Sequence, residues 1–133
     1  MSLLFSALII LAQVGAPASV DTSKVDPKVA AEVPKIAEKL RNWRGTWAAV
    51  DGKLACKTVK TSGDEDVDKI GCFATLTCVK PAYPELKAIA DAKATDEQKK
   101  IRMRAKLDSL QPCMSRHRGQ GIAELALKRG KGA

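Results

Sequence analysis

The chain has one histidine, His117, and no two cysteines spaced as Cys-x2-Cys. Structural zinc is held by clustered Cys and His ligands at short spacings, so no metal centre is expected. A redox role needs an accessible thiol of low pKa, and the spacings are wrong for that as well. Nucleophilic catalysis needs a Ser or Cys beside an oriented base, and His117 has only Ser115 near it, inside a basic run. The carboxylates gather at Asp64, Glu65, Asp66 and Asp68, where the start of a helix accounts for them and the spaced oxygen ligands of a calcium loop are absent. The expectation is a non-enzymatic chain without a cofactor. Aromatic residues make up only 4% of the sequence and do not interleave with the basic ones, so nucleic acid is not an expected partner. Beyond residue 20 no segment is long and apolar enough to span a bilayer.

Charge is missing from Ser2 to Val20, and Leu3 to Leu11 is almost continuously apolar before the chain turns small and polar around Gly15. This is the pattern of a secretory signal peptide over residues 1–18, with Ala16-Pro17-Ala18 as the small-x-small cleavage signature. Cleavage after Ala18 leaves residues 19–133 as a single exported domain, located in the periplasm or secreted. The alternative is an uncleaved anchor, but that needs about 20 apolar residues and this run is shorter.

A domain of this size buries a limited core, and in an oxidising compartment covalent staples are expected. Cys56, Cys72, Cys78 and Cys113 are even in number and permit three pairings. Cys72 and Cys78 lie on one expected helix about 9 Å apart along its axis, beyond disulfide reach, so each needs another partner.

Charge is uneven. Residues 19–78 carry 10 Lys or Arg against 9 Asp or Glu, whereas residues 79–133 carry 13 against 6, so nearly all of the net +8 lies in the second half. A basic half in an exported chain suits an anionic surface, a polyanion or an acidic partner; a solvated helical face is the plainer reading.

The expected fold class is α+β: a small disulfide-stapled domain with an N-terminal helix (26–44), a β-hairpin (46–60), a helix (64–79) and a mostly helical C-terminal half (84–129). Asp26-Pro27 starts the first helix, with Asp as cap and Pro at the first helical position. Val29, Val33, Ile36, Leu40 and Trp43 form its apolar face, and Pro34 is expected to kink or divide it. Gly45 ends it. Asp51-Gly52 between two strand-like runs is a type I′ hairpin turn, and Leu54, Cys56 and Thr58 share one face of the returning strand. Ser62-x-x-Glu65 reads as a capping box opening a helix whose buried stripe is Val67, Ile70, Ala74 and Cys78, with Pro81 as its end. Pro84 opens a further helix, and Thr95-x-x-Gln98 caps the next, which carries Lys99, Lys100, Arg102, Arg104 and Lys106. Pro112 breaks that helix, Gly119 and Gly121 loosen the chain, and Ile122 to Lys128 form the last helix. Arg116-His117-Arg118-Gly119-Gln120-Gly121 is a candidate loop for cradling an anion with backbone amides and guanidiniums.

The run from Asp51-Gly52-Lys53-Leu54 through Cys56-Lys57-Thr58-Val59-Lys60-Thr61-Ser62-Gly63 to Val67-Asp68 and Cys72 resembles the central part of the TonB C-terminal domain family. In that family a hairpin turn leads along a strand to a Ser-Gly pair and then to the helix that packs on the sheet. The resemblance spans residues 46–78 and rests on a short motif. Some members carry cysteines at the positions of Cys56 and Cys72, so the resemblance implies a strand-to-helix disulfide there, and with that assignment Cys78 joins Cys113. No proline-rich spacer follows the N-terminal segment and no third strand is evident after the helix. The resemblance therefore implies a local ββα nucleus and a periplasmic setting rather than transmission of force.

The functional expectation is a periplasmic or envelope interaction module whose hairpin edge meets a partner protein by β-augmentation. Trp47 beside that edge is read as core, with a partner contact as the alternative. The second reading is a binder of anionic envelope ligands, lipid headgroups or polyanions, through the basic C-terminal helices, with Lys99, Lys100, Arg102, Arg104, Arg116 and Arg118 as its anion-binding residues.

Overall fold

The computed structural model describes residues 26–132; the expected signal peptide and its cleavage site lie outside them. The order is α1 (Pro27–Asn42), β1 (Arg44–Val50), β2 (Lys53–Lys60), α2 (Glu65–Asp91), α3 (Asp96–Ser109) and α4 (Gln111–Gly132). This is the expected α+β class, one two-stranded antiparallel hairpin among helices. No helix among the described residues is long and apolar enough to cross a membrane.

Helix α1 starts as its sequence requires. The Asp26 carboxylate accepts the Lys28 amide at 2.8 Å, and Pro27 sits at the first helical position. Val29, Ile36 and Leu40 are buried on one face. Of the two outcomes expected at Pro34, division does not occur: α1 runs unbroken through it, and the proline ring is exposed on the side away from the buried face. The helix ends at Asn42 rather than at Gly45, and Gly45 lies inside β1. The reason is Trp43, whose indole folds between Gly45 and Gly71. A Cβ at either glycine would sit 2.3 Å or 2.5 Å from ring carbons.

The hairpin closes through Asp51 and Gly52, both at positive φ (51° and 76°), which is the type I′ geometry. Trp47 pairs with Cys56 and Ala49 with Leu54. Leu54, Cys56 and Thr58 are half-buried while their neighbours along β2 are exposed, so this face packs on α2.

The cap of α2 is Asp64, two residues beyond the expected capping box. Its carboxylate accepts the amides of Asp66 and Val67, at 3.2 Å and 3.4 Å. Ser62 instead organises the approach. Its hydroxyl accepts the Asp64 amide and donates to Asp68, while Gly63 at φ 87° turns the chain into the helix. Helix α2 also runs on to Asp91, through Pro81 and Pro84, where a stop and a new helix were expected. Both prolines are exposed, and burial of Cys78, Val79, Ala82 and Leu86 holds the helix together across them.

The capping box at Thr95 and Gln98 opens α3 as expected, with both reciprocal bonds at 3.2 Å. Pro112 occupies the first turn of α4, which then continues to Gly132. Gly119 and Gly121 do not loosen the chain. Gly119 is buried, and Gly121 lets α4 approach α2 so closely that a Cβ there would meet Ile70 at 2.7 Å.

Two cores result. One gathers Val29, Ile36, Leu40, Trp43, Val67 and Leu125 where α1, α2 and α4 meet; the other gathers Cys78, Val79, Ala82, Leu86 and Met114, with Leu54, Leu107 and Trp47 packed against it. Each core is bordered by a disulfide. Cys56–Cys72 ties β2 to α2 and Cys78–Cys113 ties α2 to α4, with Cα separations of 5.5 Å and 5.9 Å.

Candidate anion-binding cleft

Trp43, which caps the end of α1, and Arg44, the first residue of β1, stand together, and α4 delivers Met114 and Arg118 to the same place. Between them opens a cleft of about 390 Å³, completed by Trp47 and Gly45 of β1, Thr75 of α2, Leu107 of α3 and Gln111 of α4. Its walls are fixed. The Trp43 indole N–H donates to Thr58 Oγ1 at 3.0 Å, Trp47 meets Tyr83 edge-on at 6.4 Å, and the Thr75 hydroxyl donates to the Gly71 carbonyl at 2.8 Å.

Three cations line the cleft and no carboxylate does. Arg41 is exposed and pairs with Glu38 at 2.9 Å. Arg44 donates to the carbonyls of Arg41 and Trp43, both at 2.8 Å, and so supplies positive charge to the C-terminal end of α1. Arg118 has no such use: its Nε is buried and has no hydrogen-bond acceptor among the described residues. Burial holds the Arg118 guanidinium below its usual pKa, and the charge of Arg44 adds to that effect. Chemically the cleft is a binding feature, with apolar and aromatic walls around guanidiniums and no nucleophile paired with a base among its lining residues.

Of the residues expected to bind anions, only Arg118 is carried into the cleft. The 116–121 stretch is helical, so its backbone amides belong to α4 and cannot cradle a ligand as expected. Arg116 is exposed on that helix. Lys99, Lys100, Arg102 and Arg104 stand on α3, a helix with no buried residue; Lys100 and Arg104 flank a shallow groove with Met103, Leu107 and Asp108. Arg44 was missed in the sequence because nothing local links it to Arg118. Its only signal is its place directly after the tryptophan that ends α1.

His117 lies elsewhere, in a groove between α2 and α4 of about 420 Å³, where its ring meets that of the exposed Phe73 edge-on at 6.4 Å. Cys78, Cys113 and His117 bring ligand-type atoms within 4.8 Å of one another, a grouping the linear sequence does not reveal. With the two sulfurs joined to each other, however, neither is a thiolate able to hold a metal.

No family model, curated protein or solved structure matches the chain.

Proposed function

We propose that the chain is an exported, non-catalytic interaction module of the periplasm or envelope, which receives an extended segment of a partner protein along the outer edge of β1. The observation that carries this reading is the undefended character of that edge. Among the described residues the sheet has two strands, so β1 has a strand neighbour there on one side only. From Gly45 to Val50 it bears no charge and no proline, whereas β2 bears Lys53, Lys57 and Lys60. Edge strands that must stay unpaired are commonly blunted by such charges. In a two-residue hairpin the closing pair Val50 and Lys53 is hydrogen-bonded, so alternation turns the backbone groups of Trp47 and Ala49 outward, where a third strand pairs. The two disulfides support an oxidising compartment, and the resemblance of residues 46–78 to the TonB C-terminal domain family supports a periplasmic one.

A photo-crosslinking residue at Ala49 in envelope preparations is expected to capture a partner, while the same residue at Lys57 is not. Proline at Trp47 would disturb the core, so Ala49→Pro is the blocking variant, and it should abolish capture at a crosslinker placed at Ala48. Equal capture from both strands would overturn the reading. A second reading, contact with anionic lipid headgroups or polyanions through α3, is favoured by Lys99, Lys100, Arg102 and Arg104, which form no ion pair among the described residues. Association that collapses steeply with added salt would select it over strand addition.

A further inference from the structure

Arg118 is the one side chain among the described residues with a buried polar atom left without a partner. Burying a donor without an acceptor is unfavourable, and burying part of a guanidinium beside another is more so. An apolar side chain at this position would pack against Met114 and Leu107 without that cost. What the arginine offers in return is visible only when the cleft is occupied. Arg44 already donates to the carbonyls that end α1 and Arg41 pairs with Glu38, so Arg118 is the cation of the cleft left without a partner among the described residues. Around it stand Trp43, Trp47, Leu107 and Met114, whose apolar surfaces penalise a doubly charged group.

We propose that this cleft binds a single carboxylate carried on an apolar body, the carboxylate between Arg118 and Arg44 and the body against the two indoles. The planar pair of oxygens matches the guanidinium fork, and a volume of about 390 Å³ suits a small ligand or the end of a longer one. The carboxylate belongs either to a free organic acid or to the C-terminus of a peptide. The inference goes beyond strand addition at β1 and does not require it.

The chain has two tryptophans and both line the cleft, so intrinsic fluorescence reports on it directly. The oxidised chain is titrated with 4-phenylbutyrate, standing for a free acid, and with acetyl-Ala-Phe, standing for a chain end, each against its neutral amide. A saturable change with at least one acid and none with the amides is expected. Tighter binding of the first probe marks a free acid as the source, and of the second a peptide terminus. Arg118→Met should weaken binding by about tenfold or more, Arg118→Lys by less, since it keeps the charge but loses the fork, and Arg116→Gln not at all. A thermal melt of Arg118→Met at or above the wild-type midpoint separates loss of the site from loss of the fold. The proposal is overturned if neither acid saturates by about 10 mM, if the amides bind as well, or if folded Arg118→Met and Arg118→Lys both bind like the wild type.

Discussion

Arg129 and Arg118 lie on the same helix, about three turns apart, and their surroundings are opposite. Arg129 meets Asp64 through two parallel bonds of 2.8 Å and 2.9 Å, while Lys39 reaches the same carboxylate from α1 at 3.0 Å. The carboxylate that caps α2 thus also receives the end of α4 and the side of α1. Hydrogen bonds from Arg129 hold the Asp64 carboxyl well below the usual carboxylate range, against the opposing effect of burial. Arg118, in the N-terminal half of the helix, has burial, repulsion from Arg44 and an orphaned Nε. The C-terminal turn of α4 is closed by complementary charge, and the N-terminal half carries an arginine without such a partner among the described residues. Paired charge of the first kind explains how helices are held; unpaired charge of the second kind has no architectural explanation, and that is why the cleft is read as a site.

The largest test of the contrast removes the covalent ties that both ends share. Replacing Cys78 and Cys113 together by Ala releases a 35-residue loop and is expected to cost about 4 kcal/mol; the Cys56 and Cys72 pair, spanning 16 residues, about 3 kcal/mol, both read from denaturant unfolding. Next is the closed end. Asp64→Asn breaks the bidentate pair with Arg129 but keeps a side-chain oxygen able to cap α2, for an expected loss of about 2 kcal/mol at pH 7. Partial burial raises the Asp68 pKa, but hydrogen bonds from Ser62 and Thr61 outweigh it and leave that carboxyl low too. For both groups the folded pKa lies below the ordinary 3.8, so the stability they supply is complete above that pH and is lost as pH falls toward the folded values. Melts of the wild type between pH 6 and pH 2 should fall more steeply below about pH 4 than those of Asp64→Asn. The smallest effect compares the two arginines. Arg129→Met should lower the melting temperature by a few degrees and Arg118→Met should raise it or leave it unchanged, and a fall of equal size in both would erase the distinction drawn between them.

Features written in short stretches were legible. Asp26-Pro27, Asp51-Gly52 and Thr95-x-x-Gln98 each specify a local geometry, and each is found where expected. The cysteine pairs of the structure are those implied by the family resemblance. Proline and glycine misled, because their effect depends on which way a residue faces. Pro34, Pro81 and Pro84 all face solvent, and none stops its helix. Gly119 and Gly121, which suggest a loose connection in sequence, lie within α4, Gly119 buried and Gly121 where a Cβ would meet Ile70. The cap of α2 slipped by two residues because Ser62, Asp64 and Asp68 are all competent acceptors, and only the turn at Gly63 decides among them. The cleft was hidden for a different reason: Arg44 and Arg118 come to line it only after four helices and a strand have packed, and no periodicity records that meeting.

The Cys78–Cys113 bridge spans the short link at residues 92–95 between α2 and α3, whereas the hairpin turn at Asp51-Gly52 falls outside both bridges. A protease cut in that link therefore leaves two fragments still fastened to each other, which part only in the presence of a reductant. A cut at the turn leaves α1 and β1 held by packing alone. Clipping between Cys78 and Cys113 is consequently expected to leave the molecule joined, and clipping at its hairpin tip is not.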